Sequence, residues 1–113
     1  MSSSLTATAA VLYEAGKPLR IEQIEVLPPL AGEVRVQMKA AGVCHSDYHV
    51  MCGDLHMPLP IIPGHEGAGV VIDVGDGVTS VQPGDHVIPI WRGSCGRCDY
   101  CARGRPALCD MGT

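Results

Sequence analysis

Four cysteines within fifteen residues, Cys95, Cys98, Cys101 and Cys109, limit what this chain can fold into more than any other stretch. Two residues separate each of the first three, and seven separate the third from the fourth. A tetrahedral cation takes four thiolates at about 2.3 Å, and two-residue gaps let a tight turn deliver neighbouring sulfurs to one point. Gly96 and Gly104 supply backbone freedom for such a wrap. Four of the eight basic residues, Arg92, Arg97, Arg103 and Arg105, lie in or beside the stretch, where they offset the negative charge of four thiolates around a divalent ion. Two disulfides, or reduced thiols packed as small hydrophobes, are the alternatives. The spacing, with no secretion signal to favour oxidation, predicts a closed structural zinc site in a lobe spanning residues 92–112. Four protein sulfurs leave no open coordination position, so chemistry belongs elsewhere in the chain.

At 113 residues the chain suits one domain that buries its own core. Phe is absent and aromatics make up 4%, so that core must come from Val, Ile, Leu, Met and Ala. Fourteen Gly and nine Pro are spread as punctuation, which suits short strands joined by turns. A net charge of −4 argues against a nucleic-acid or anionic-membrane partner. No apolar run is long enough to span a bilayer, and the opening residues lack the charged and apolar regions of a signal peptide. A cytoplasmic location is the expectation.

Residues 6–12 read as a first strand. Leu19-Arg20-Ile21 and Ile24-Glu25-Val26 alternate in opposite phase, which predicts a bulge near Glu22-Gln23. Val34, Val36, Met38 and Ala40 alternate with Arg35, Gln37 and Lys39, predicting a half-buried antiparallel strand with the apolar set inward. Ser46 or Asp47 is placed to cap a short helix that Gly53 ends. Further strands are expected over 70–74 and 86–90, with a type II turn at Gln82-Pro83-Gly84-Asp85. The pattern predicts a mainly β fold: a partly open β-barrel with one short helix and the cysteine lobe.

Cys44 and His65 are a second candidate for metal binding. Each is a soft or borderline zinc ligand in a polar cluster beside a strand, and a catalytic zinc needs three protein ligands and one open position. Glu66 offers a carboxylate near that metal, and Asp47 is placed to orient a ligating imidazole. A buried small cysteine and a satisfied loop histidine are the plainer readings of the same two residues.

Gly64-His65-Glu66-Gly67-Ala68-Gly69, followed by Gly75 and Val78, resembles the signature of zinc-containing alcohol dehydrogenases of the medium-chain dehydrogenase/reductase family. Val43-Cys44-His45-Ser46-Asp47 is similar to that family's first-ligand segment. The Cys95–Cys109 spacing is similar to its structural zinc lobe, and Gln82-Pro83-Gly84-Asp85-His86-Val87 also fits. The resemblance implies a GroES-like catalytic domain over 1–113. It implies Cys44 and His65 as catalytic-zinc ligands, with Glu66 behind the metal and Asp47 holding His65. Ser46 would bond the zinc-bound alcohol and start a proton relay that His49 passes to solvent. His45 would face the pyrophosphate of NAD or NADP, and Trp91 would line the substrate pocket. The implied reaction oxidises an alcohol to an aldehyde or ketone, and full-length members of the family are usually homo-oligomers. For Trp91, an indole plugging the barrel end is an equal reading.

Two of the family's parts have no counterpart here. Its third catalytic ligand is a cysteine beyond the lobe, and the one unassigned cysteine, Cys52, reads as a packed thiol. The nearest approach to a dinucleotide fingerprint, Gly75-Asp-Gly77-Val-Thr-Ser80, has Ser in the third position and Pro83 soon after, so it reads as a hairpin turn. The expectation is the N-terminal part of a dehydrogenase, inactive by itself and lacking its nucleotide-binding domain. A stand-alone, non-catalytic zinc-binding barrel is the alternative.

Overall fold

The computed structural model describes residues 3–90 and 92–111. β1 (Leu5–Val11) and β2 (Arg20–Val26) form an antiparallel pair. β3 (Val34–Ala41), β4 (Gly67–Val74) and β5 (His86–Val87) form a second antiparallel sheet in the order β3-β4-β5. The helix α1 (His45–Cys52) lies between β3 and β4 in the chain. The fold is therefore mainly β with one short helix and a cysteine lobe, and its two sheets stay open and do not close into a barrel.

Packing changes several local expectations. β1 and β2 pair without interruption from Leu5 opposite Val26 to Val11 opposite Arg20, so the expected bulge at Glu22-Gln23 is absent. The change of phase arises because Ile21 faces solvent at 71% exposure, while Ile24 and Val26 are half-buried. The register shifts fall instead in the β3–β4 pair, between Arg35 and Val36 and between Met38 and Ala40. β5 stops at Val87 and does not run to Ile90. It pairs only with Gly69 and Val70, and Pro89 has no N–H to extend the ladder.

On β3 the expected inward face is also corrected. Val34 and Met38 are exposed, and the strand's buried residue is Arg35, at 6% exposure. Its Nε donates to Asp73 Oδ2 on β4 at 2.9 Å. One terminal nitrogen donates to the Ser3 carbonyl at 2.7 Å and, at 3.3 Å, to the Val26 carbonyl at the end of β2. A guanidinium with fixed, forked donors is suited to this, since burial of a charge is tolerated where it is paired and hydrogen-bonded. Arg35 thus ties one sheet to the other. A second tie is the two-way backbone bridge between Leu12 and Ile61, at 2.8 and 3.0 Å, beside fully buried Leu12.

Gly75, just past the end of β4, packs at close quarters against the loop that leads into β3. Its amide donates to the Glu33 carbonyl at 2.7 Å, and a Cβ there would lie 1.9 Å from the Leu30 carbonyl oxygen. The obstacle is backbone and cannot swing aside. Gly75→Ala should therefore destabilise the fold by about 1–3 kcal/mol, the scale of overpacking, read as a lower urea midpoint. An unchanged midpoint would mean that the Leu30 loop moves freely. The expected turn at Gln82–Asp85 is present, with Gly84 at φ 97° and the Asp85 amide 3.1 Å from the Gln82 carbonyl.

Candidate functional site

The first site is built where β3 runs into α1 and where the loop before β4 returns beside it. Cys44, in extended conformation, is the N-cap of α1, two places ahead of the expected Ser46 and three ahead of Asp47. Its carbonyl accepts from the Asp47 amide at 3.1 Å, and its amide faces Asp47 Oδ2 at 3.4 Å. Gly53 ends the helix in the left-handed region at φ 88°, as the sequence predicts.

This geometry brings Cys44 together with the Pro63–Gly67 loop. The Cys44 thiol, a ring nitrogen of His65 and a Glu66 carboxylate oxygen all lie within 4.8 Å of one another. His65 Nδ1 is 3.1 Å from Asp47 Oδ1, which leaves Nε2 on the cysteine side. There Ser46 Oγ lies 3.5 Å from His65 Nε2 and 3.2 Å from Cys44 Sγ. A carboxylate behind one ring nitrogen fixes the ring so that the other presents a lone pair, the usual support for a metal-binding histidine. Thiolate, imidazole and carboxylate form a donor set that zinc accepts, with room for a fourth ligand.

The approach of the Glu66 chain depends on a missing side chain. The Gly42 amide donates to the Glu66 carbonyl at 2.5 Å, and a Cβ on Gly42 would lie 2.8 Å from a Glu66 carboxylate oxygen. An apolar hollow of ≈ 500 Å³ borders His65 and Glu66, with Ala9, Met38, Ile62 and Pro63 among its lining.

Other residues singled out in the sequence fall beside this cluster and not in it. His49 Nδ1 is 3.2 Å from Asp54 Oδ2, and its ring lies against His45 with centroids 4.6 Å apart. Ser46 and His49 share a helix, but their hydrogen bonds run to different partners. Trp91 lies outside the described residues. Cys52 is not packed, contrary to expectation: it is exposed at the end of α1, where it hydrogen-bonds Tyr48 one turn back. That bond raises the Tyr48 phenol above its ordinary range.

The second site is the lobe. Its sulfurs, from Cys95, Cys98, Cys101 and Cys109, also lie within 4.8 Å of one another, and Cys109 is fully buried. Cys98 caps the short helix α2 (Asp99–Ala102), and a 3-10 turn at Pro106–Leu108 carries the chain to Cys109. Backbone amides point at the sulfurs: those of Cys98 and Arg97 at Cys95 Sγ, 3.2 and 3.4 Å, and those of Cys95 and Met111 at Cys109 Sγ, 3.2 and 3.3 Å. Amide donors favour the thiolate form. The Cys95 amide, seconded by that of Met111, draws the Cys109 thiol down to about 6 against the opposing effect of burial. The Cys101 amide, then that of Asp110, lowers Cys98. For Cys101 the Gly96 amide acts downward, but desolvation and hydrogen bonds shared with Cys98, Cys109 and Cys95 push the thiol up to about 11. A metal would have to displace that proton. Arg92 donates to the Cys109 carbonyl at 3.0 Å and so braces the end of the wrap.

The family defined as the alcohol dehydrogenase GroES-like domain matches residues 30–113. The chain belongs to that family. A curated relative, the NDMA-dependent alcohol dehydrogenase of Amycolatopsis methanolica, is 57% identical over 104 residues, which is 92% of this chain and 28% of the relative. Among solved structures, an alcohol dehydrogenase zinc-binding domain protein from Burkholderia ambifaria matches with a TM-score of 0.88 and 42% identity, over 96% of this chain and 29% of that one. A cobalt- and zinc-bound thermostable alcohol dehydrogenase from Pyrobaculum aerophilum matches at 0.85 and 38%, over 95% and 33%. This GroES-like chain thus spans about three-tenths of the length of the relatives it matches. Its zinc-type donor sets agree with the metal bound by the Pyrobaculum protein.

Glu66, which the sequence places near the metal, lies as close to Cys44 and His65 as a third donor would. The sequence signal was its position next to His65; what neighbour relations along the chain do not convey is that the loop turns both side chains toward Cys44.

Proposed function

We propose that this chain is the metal-binding, N-terminal part of a zinc- and nicotinamide-dependent alcohol dehydrogenase, its nucleotide-binding domain lying outside the 113 residues. The observation that carries the reading is the convergence of Cys44, His65 and Glu66, with Asp47 behind His65 and Ser46 at the front. In this reading Cys44, His65 and Glu66 hold the reactive zinc, and the lobe over 92–112 holds a structural one. The zinc, when bound, supplies Lewis acidity toward an alcohol oxygen, and the nicotinamide accepts the hydride.

The chain's own residues do the rest. Asp47 keeps the His65 ring turned so that Nε2 faces Cys44. Ser46 Oγ, at hydrogen-bonding range of both Cys44 Sγ and His65 Nε2, is positioned to take a proton from a hydroxyl at the open position. His49, exposed and backed by Asp54, receives the proton nearer solvent. His45 meets the cofactor's pyrophosphate. The apolar hollow beside His65 and Glu66 suits the carbon part of a small alcohol or aldehyde.

Cobalt in place of zinc tests this reading on the chain itself. The expected result is two cobalt environments: a sulfur-only one insensitive to added alcohol, and one whose visible bands shift when ethanol is added. Cys44→Ser should remove the alcohol-sensitive bands, and Glu66→Ala should weaken that cobalt by at least about tenfold, as loss of a metal ligand's support does. Alcohol-insensitive bands throughout would refute the catalytic assignment and favour the non-catalytic zinc module.

A further inference from the structure

Along α1, His45 and His49 stand four residues apart and so share one face of the helix. Their ring centroids are 4.6 Å apart with the planes tilted by 45°. Two imidazoles bound to one ion at about 2.0–2.1 Å per nitrogen in tetrahedral geometry bring their ring centres to about 5 Å. The observed separation is close to that value. Each ring is also held in place. His45 stacks on Tyr48, with centroids at 5.8 Å and planes within 14°. His49 Nδ1 faces Asp54 Oδ2 at 3.2 Å, so Nε2 is the nitrogen left to bind. A carboxylate on the far nitrogen is the arrangement that orients metal-binding histidines.

We propose that His45 and His49 form a third metal site, an exposed two-imidazole chelate for a borderline divalent transition ion such as Ni²⁺ or Zn²⁺. The site is distinct from the Cys44–His65–Glu66 cluster, which does not include either ring. Imidazole suits ions of this class, and the two nitrogens leave the remaining coordination positions to water. The inference rests on these donors and not on the proposed reaction. An ion held here occupies both imidazoles at once, so it excludes the relay role of His49 and the pyrophosphate contact of His45 while bound, without entering either cysteine cluster.

The test uses the whole chain, loaded with two equivalents of zinc, enough for the two cysteine-containing clusters and no more, with Ni²⁺ alone as the probe. Paramagnetic broadening in imidazole NMR spectra should appear first and most strongly at His45 and His49, with one Ni²⁺ bound per chain. His45→Gln and His49→Gln should each weaken Ni²⁺ by at least about tenfold, and Asp54→Asn by about tenfold, the low end for an outer carboxylate. Broadening centred on His56, His65 or His86, or an affinity unchanged in His45→Gln, would overturn the proposal. The broadening map on the unaltered chain decides the question even where a variant misfolds.

Discussion

Cys98→Ser should release the lobe's metal and unfold residues 92–111 while both sheets remain. Serine keeps an oxygen that can cap α2 in place of the sulfur, which now accepts from the Cys101 amide at 3.4 Å. The variant therefore removes a thiolate ligand with little harm to the helix start. What remains in the lobe is meagre: Cys109 is its buried side chain among the described residues, and α2 packs on the 3-10 turn but on no strand. Structural zinc in small domains is worth about 10–16 kcal/mol of apparent binding energy, so metal binding and lobe folding are one event. The expected measurement is loss of one zinc per chain by elemental analysis, with fast amide exchange over 92–111 and strand circular dichroism retained. Collapse of the strand signal in Cys98→Ser would show that the lobe is not a separable unit.

Arg35→Met should destabilise the fold by about 3 kcal/mol, the low end for breaking a buried ion pair by removing one partner. The low end applies because Asp73 keeps 28% of its side chain exposed and so retains some water. Methionine fills much of the arginine stem's volume, so the loss reports on the guanidinium and not on a cavity. Beyond the ion pair, the Ser3 and Val26 carbonyls lose their donor, and with it goes a tie between the two sheets. Arg35→Lys should recover only part of the loss, because an ammonium cannot reproduce the fork. Chemical unfolding measures both variants. A midpoint for Arg35→Met equal to that of the unaltered chain would mean that the sheets are held by other contacts, the Leu12–Ile61 bridge foremost.

The two chemistry-bearing regions were legible for different reasons. The lobe was readable because its ligands are close in sequence: gaps of two residues leave a chain few ways to place sulfurs except around one point. Cys44 and His65 were not, from spacing alone. Twenty intervening residues do not dictate a meeting, and it was the resemblance of the flanking motifs that joined them. The type II turn and the helix stop at Gly53 were likewise local, each resting on one glycine that adopts positive φ.

Sequence by itself therefore determined the elements whose causes are local: short antiparallel strands, the four-sulfur wrap, the helix stop and the hairpin turns. Only the tertiary structure decided which face of a half-buried strand turns inward. On β3 the alternation pointed to Val34 and Met38, yet Arg35 is buried, because Asp73 and two backbone carbonyls across the sheets satisfy its charge more completely than solvent-facing neighbours could. On β2 the exposed Ile21 mimicked a bulge, since a sheet with both faces partly wet does not force every apolar residue inward. The same holds for Glu66. Its carboxylate joins Cys44 and His65 because the Gly42 backbone lets the two loops approach, and that distance is set across the fold and not along the chain.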